Sequence, residues 1–308
     1  MQKTLTNHLS LITLLAVLSV FIATTFVSQS AHAAQPTVNL RTASPFAILS
    51  GTPGITDAGN TSVINGNVGL YPASGAGIGL LCTQVSGTIY SADATGPLPC
   101  RITDSPLLLT AKNNLTTAYN DAAGRTPFTT LGKELGGKTL VAGVYVSTDT
   151  TFEITNVGPL VLDGQNDPSS VFIFQAPFEG TGLTVGPGST VSLINGAQAC
   201  NVFWRVDTAS INTTGTFVGT VLALNSISVA NGATIDGRLL ARNGSVTLNN
   251  DTITASICAG NDTLDATPGL PNTGEASNQS TILAIATSTF LATAASLIAY
   301  AFYKKRSI

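Results

Sequence analysis

Residues 216–254 read TFVGTVLALNSISVANGATIDGRLLARNGSVTLNNDTIT, and the spacing within them decides the fold. Thr216, Thr234 and Thr252 recur every 18 residues, and so do Phe217, Ile235 and Ile253. Carried backwards, the period aligns Phe203 with Val221 and Leu239, Trp204 with Leu222 and Leu240, and Asp207 with Asn225 and Asn243. A unit this short, alternating apolar residues with Thr, Ser and Asn and punctuated by Gly, is one turn of chain rather than a domain. Such a turn cannot bury its apolar side until the next turn stacks on it, so the pattern predicts a parallel β-solenoid.

Strand alternation then assigns the faces. Ile211, Val229, Val246 and Leu248 turn inward, which sends Ser210, Asn212, Ser228, Thr247 and Asn249 outward; the last turn slips by one residue against the period. Residues 61–70, 139–146, 160–162, 171–175 and 190–193 read as further strands of the same kind. Between Cys100 and Gly124 the period changes. Ser105 suits an N-cap, Pro106 the first helical position, and Leu108, Ala111, Leu115, Ala118 and Ala122 recur at three and four, which predicts one amphipathic helix over 105–124.

Composition narrows the function. Only 9% of the 308 residues are charged while 44% are hydrophobic, so the chain lacks the signature of disorder. With 13 Lys and Arg against 16 Asp and Glu it has no basic excess for nucleic acid either.

Both ends read as address labels. Lys3, the apolar run from Leu11 to Phe26 and the triplet Ala31-His32-Ala33 form a secretory signal over 1–33, cleaved before Ala34. At the other end, residues 281–303 are uncharged and long enough, as a helix, to span a bilayer, and the basic tail 304–308 would stay on the cytoplasmic side. Upstream lies Leu270-Pro271-Asn272-Thr273-Gly274. Pentapeptide, apolar span and basic tail together resemble the sorting signal of sortase substrates in Gram-positive-type cell envelopes. The resemblance implies that a sortase thiolate attacks the carbonyl of Thr273 and passes it to a peptidoglycan amine, leaving a wall-anchored protein; unsorted, the chain would stay anchored in the membrane. The domain between the labels is 34–258, followed by a polar linker over 259–269.

Removing both ends also removes His8 and His32, so the mature chain holds no histidine. Histidine-dependent nucleophilic catalysis and the usual imidazole metal sites are thereby excluded, and no cofactor is implied. Cys82, Cys100, Cys200 and Cys258 form an even set in an exported chain with no metal-type spacing, and pairing nearest neighbours predicts Cys82 with Cys100 and Cys200 with Cys258.

Eight segments carry a wider resemblance: FAILSG (46–51), INGNVGLYP (64–72), AYNDAAGR (118–125), LGKELGGKTLVAGVY (131–145), LDGQNDPSSVFIFQ (162–175), INGAQACNVFWRV (194–206), TFVGTVLA (216–223) and GRLLARNGSVTL (237–248). In this order they closely resemble the ice-binding-protein-like family of microbial antifreeze proteins. The resemblance implies a mainly β fold, a discontinuous right-handed parallel β-helix of triangular section with one long helix alongside. It also implies an ice crystal as partner, bound through one flat face. Two sets of residues are candidates for that face: the column Thr216, Thr234, Thr252, and the uncharged strip Ser210, Asn212, Ser228, Thr247, Asn249. Arg205, Arg238, Arg242 and Asp236 are expected to interrupt the outward rows. Two other functions compete. A surface adhesin or glycan-binding protein could use the same fold without touching ice, and an enzyme could use Asp163 and Asp167 as acid and base, although their residue types in DGQNDP also suit a turn.

Overall fold

The structure is a computed structural model that describes residues 35–259, apart from 150, 156, 177–179 and 181. The leader 1–33, the pentapeptide 270–274, the apolar span 281–303 and the basic tail lie outside the described residues. Among the described residues, no helix is long and apolar enough to cross a membrane.

Among the described residues the fold is mainly β, with one α-helix, and the strand pairings are parallel. Between Thr139 and Ile211 the chain visits three sheets in a repeating sequence. Gly182–Val185 belongs to a seven-stranded sheet, Val191–Ile194 to a three-stranded one and Val202–Val206 to a long one, before Thr208–Ile211 returns to the seven-stranded sheet one rung along. Two strands serve two rows at once. Thr216–Ala223 and Thr234–Ala241 run eight residues each; their first halves continue the row that Thr252–Thr254 and Val63–Asn65 extend, and their second halves run beside Val202–Val206 and Phe46–Ser50. Gly219, with φ at +111°, and Gly237 stand at the bend, where a Cβ on Gly237 would run into the Gly219 carbonyl.

Stacking order departs from chain order. Phe46–Ser50 pairs with Thr234–Ala241, Ile55–Asp57 with Val246–Leu248, and Val63–Asn65 with Thr252–Thr254. The first coil therefore stacks on the last, and the coils up to Arg101–Thr103 extend the stack onward. The chain then crosses through the helix to Thr129–Leu131 at the far end of the long sheet and returns coil by coil.

The helix spans Ser105–Gly124, the expected bounds, but its cap is Asp104, whose carboxylate accepts from the Leu107 N–H at 2.9 Å. A carboxylate also suits the positive helix start better than the hydroxyl of Ser105, and Pro106 moves to the second position. Leu108, Ala111, Leu115, Ala118 and Ala122 are all buried against Phe46, Leu49, Ile173, Phe203, Leu222 and Leu240 of the long sheet. Opposite them, Ile48, Phe174, Trp204, Val221 and Leu239 fill the interior of the coils. Equivalent positions on neighbouring coils stack Tyr145, Phe174 and Trp204 at centroid distances of 5.4 and 4.1 Å, Phe217 tilts against Trp204 at 5.5 Å from the adjoining row, and the Trp204 indole N–H donates to the Val218 carbonyl at 2.9 Å.

Most of the 18-residue register holds. Thr216, Thr234 and Thr252 are partners, as are Phe217, Ile235 and Ile253, and the slip of the last turn appears as Ile227 opposite Val246. One alignment is corrected: Val221 sits opposite Trp204 and Leu222 opposite Arg205, so Phe203 faces Thr220. The corner from Ala223 to Ile227 takes one residue more than that from Val206 to Ala209, which resets the count to 18 beyond it. Both disulfides pair as expected, with Cα separations of 5.6 Å for Cys82–Cys100 and 5.4 Å for Cys200–Cys258.

Candidate functional site

Each strand of the seven-stranded sheet is short and alternates. In Thr208–Ile211, Ala209 and Ile211 are buried and Thr208 and Ser210 exposed; Ile227–Val229 and Val246–Leu248 likewise expose only Ser228 and Thr247. Because the ladders are in register, the exposed residues align across the sheet. Thr184 lies opposite Ser210, Ser210 opposite Ser228, Ser228 opposite Thr247, and Thr247 opposite Thr56. All five are exposed. They form an unbroken row of small hydroxyl side chains, with the Thr56 and Thr247 hydroxyls 3.4 Å apart.

One pleat to one side stand Thr208, Ser226 and Ser245, the last two with hydroxyls 3.4 Å apart; one pleat to the other stand Asn212, Ala230 and half-buried Asn249. The row ends in Gly79 beyond Thr56 and in Glu153 beyond Thr184. Glu153 is paired to Lys133 at 3.2 Å, so charge begins at the margin of the grid. Strand geometry sets the lattice at about 4.8 Å between rungs and about 6.7 Å between outward residues along a strand. The five rungs from Thr184 to Thr56 thus span about 19 Å.

The expected strip Ser210, Asn212, Ser228, Thr247, Asn249 lies on this sheet as one grid. The expected column lies elsewhere. Thr216, Thr234 and Thr252 are exposed in register on the row opened by the two long strands, and the column runs into Val63, itself 47% exposed. Beside it runs a second column, Val218, Asp236, Thr254, Asn65. Burial raises the pKa of the Asp236 carboxyl, with Arg238 acting against the rise. Further along this side, Val141 and Ile194 expose aliphatic surface and Asp163 stands half-buried. The Thr column is regular but narrow and unevenly bordered.

The cations expected on the outward rows are not on them. Arg238 is buried, donating to the Ser44 and Ser256 carbonyls at 2.7 Å each, and burial brings its pKa down to about 10. Arg205 and Arg242 stack on the ring of Tyr119 at 4.5 and 4.8 Å, on the side that the helix covers. A strand buried on both sides offers no water-facing row, so simple alternation misplaced them. Nor do Asp163 and Asp167 converge on a substrate site. Asp163 accepts from the Gln165 N–H and the Asn195 amide, Asp167 from the Ser169 N–H and hydroxyl, and both carboxylates thereby hold turns.

Two members of the hydroxyl row, Thr184 and Thr56, were absent from the sequence-derived sets. Thr184 has the same apolar-Thr-apolar context as Thr247 and could have been found by extending the alternation backwards. Thr56 lacks that context, since Asp57 follows it, and 191 residues separate it from Thr247; only the stacking of the first coil on the last brings them together.

Known proteins with related chains bear on what such a grid does. The family model described as ice-binding-like matches residues 48–254. An ice-binding protein of Flavobacterium frigoris (strain PS1) is 41% identical over 205 residues, covering 65% of this chain and 70% of that protein. One from Colwellia sp is 41% identical over 212 residues, covering 65% and 77%. Among solved structures, an ice-binding protein from an Antarctic biological consortium superposes with a TM-score of 0.59 at 35% identity, covering 72% of this chain and 92% of that one. The DUF3494 domain of Shewanella frigidimarina ice-binding protein_1 superposes at 0.63 with 28% identity, covering 73% and 99%.

Proposed function

This chain belongs to the ice-binding-like family, and from that membership we propose that it adsorbs to ice through the outward grid of its seven-stranded sheet. The observation that carries the reading is the row Thr184, Ser210, Ser228, Thr247, Thr56, which offers five successive rungs of small hydroxyls without a charge. An ice surface is a rigid lattice of hydrogen-bonding water. A flat protein lattice with a fixed spacing can hold its first water layer in positions that the crystal continues. Methyl and hydroxyl groups order that layer collectively, whereas a charge draws water around itself and breaks the pattern. No proton transfer or bond cleavage is asked of any side chain.

The finer architecture belongs to the same proposal. The coils are read as a right-handed, three-sided solenoid, in keeping with the rule that parallel crossovers are right-handed. The leader 1–33 exports the chain, and the pentapeptide 270–274 hands it to a sortase, so the grid is displayed on the wall rather than released. The exported chain should shape growing ice crystals, inhibit recrystallisation and partition into a slowly growing ice phase. Crystals that grow as plain discs in concentrated protein would overturn the reading and leave a surface adhesin on the same scaffold.

A further inference from the structure

The displayed state places a mechanical demand on the fold. Past Ala259 the sequence leads to Thr273, the residue that a sortase would join to the wall. When ice moves against the cell, load reaches the domain along that segment. The last strand, Thr252–Thr254, has three residues and lies inside the stack, between Thr234–Ala241 and Val63–Asn65. A pull on it would open the stack where the last coil meets the first. It would also act on a rung that shares its coil with Thr247.

Beyond that strand the Ala255 N–H still donates to the Asn65 carbonyl at 3.0 Å, and further contacts then stand between it and the tether. The Ser256 carbonyl accepts from buried Arg238 at 2.7 Å, Cys258 is bridged to Cys200, and the Ala259 N–H donates to the Gln198 side chain at 2.7 Å. Cys200 lies in the short turn Ala199–Asn201, which feeds Val202–Val206, a strand paired on both sides within the long sheet. That turn connects the three-stranded sheet to the long one and does not border the hydroxyl grid. We propose that the Cys200–Cys258 bridge, seated on the Gln198 contact, is a load clamp: it carries tether force into the body of the stack and keeps the final strand and the grid unloaded.

The proposal rests on surface display, and its test needs no ice, so it can fail or hold independently of ice binding. The exported chain is held in magnetic tweezers by a handle before Gln35 and a second beyond Thr273, and in a companion molecule the second handle is attached at exposed Asn231. Each is compared with its Cys200→Ser/Cys258→Ser counterpart. Where that pair fails to fold, the native chain is reduced under tension instead, which also opens Cys82–Cys100 and adds about 60 Å to the extension, from 18 residues at about 3.4 Å each. From the Thr273 handle, loss of the bridge should lower the first rupture force and lengthen the fully extended chain by about 200 Å, from 58 residues at about 3.4 Å each. From the Asn231 handle the first rupture force should stay the same. An unchanged first rupture from Thr273 overturns the clamp. An equal drop from both handles does so too, since it identifies a general crosslink that restricts the unfolded chain.

Discussion

Ser228→Tyr separates the two exposed faces most directly. Ser228 is the middle of the five-rung row. Ser210 and Thr247 flank it at about 4.8 Å, and Ser226 and Ala230 lie about 6.7 Å away along the strand. A phenol ring standing on position 228 lifts a rigid crystal plane off those four positions and its own. That removes the centre of the grid, roughly a third of about fifteen outward positions. Adsorption on a flat lattice needs its contacts made together, so thermal hysteresis should fall at least about twofold rather than in proportion to area. Stability should change by no more than about 0.5 kcal/mol, because the side chain points to water and tyrosine is a good strand residue. The matched control is Thr234→Tyr, the middle of the Thr column on the other row, which should leave hysteresis near its starting value. Both variants are read by osmometry for hysteresis and by circular dichroism for melting. If Thr234→Tyr lowers activity while Ser228→Tyr does not, with both folded, the seven-stranded sheet is not the binding face.

Further outcomes concern the scaffold and the address labels. Asp251 is buried and its pKa is raised to about 6, by desolvation first and by neighbouring Asp57 as a smaller contribution. Its folded state therefore holds a proton that the unfolded chain releases near pH 4, so this group's contribution to stability is present in acid and lost as pH rises from about 4 to about 6. For Asp57, burial pushes the pKa up but hydrogen bonds from Ser62 and Gln84 outweigh it and hold it low, so its contribution runs the opposite way. Asp251→Asn should remove the acid-favouring slope from melting temperature against pH, and an unchanged slope would exclude Asp251 as its source. The Thr220 hydroxyl is buried with no partner among the described residues, so Thr220→Val should raise stability by about 1 kcal/mol in denaturant titration. Thr273→Ala should move the protein from the wall to the membrane fraction, read by blotting after wall digestion; unchanged release by muramidase would mean another route of attachment.

Much of the core was legible because it obeys a period. Thr216, Thr234 and Thr252 meet at intervals of 18, and the helix ends at the expected residues, since both follow from local repetition of apolar side chains. What was not legible depended on chain reaching past its neighbours. Nothing near Thr56 says that it will lie against Thr247, because the stacking of the first coil on the last is a closure between distant segments. The extra residue between Ala223 and Ile227 is hidden in the same way. Corner length is set by how the backbone turns, and the apolar pattern does not record it.

The misplaced arginines point to a rule that the alternation already contained. Strands of the long sheet read as nearly continuous apolar runs, FAILS, VFWRV and FIFQ, because the coil interior takes one side and the helix much of the other. In such a run an outward position is still inside the protein, and a cation there must find carbonyls or an aromatic face, as Arg238 and Arg205 do. Strands of the seven-stranded sheet read TASI, ISV and VTL, apolar residues alternating with small polar ones, since their outer side meets water alone. Continuous and alternating strands follow one another within each coil. An alternating strand marks a side left free, and only a free side can meet a crystal. The three-stranded sheet, with TLV, LVLD and VSLI, is a free side as well, but it carries exposed Val141, Ile194 and a half-buried Asp163, whereas the seven-stranded sheet turns small hydroxyls outward; the Thr column, borne on long strands that are half continuous, has the weaker claim.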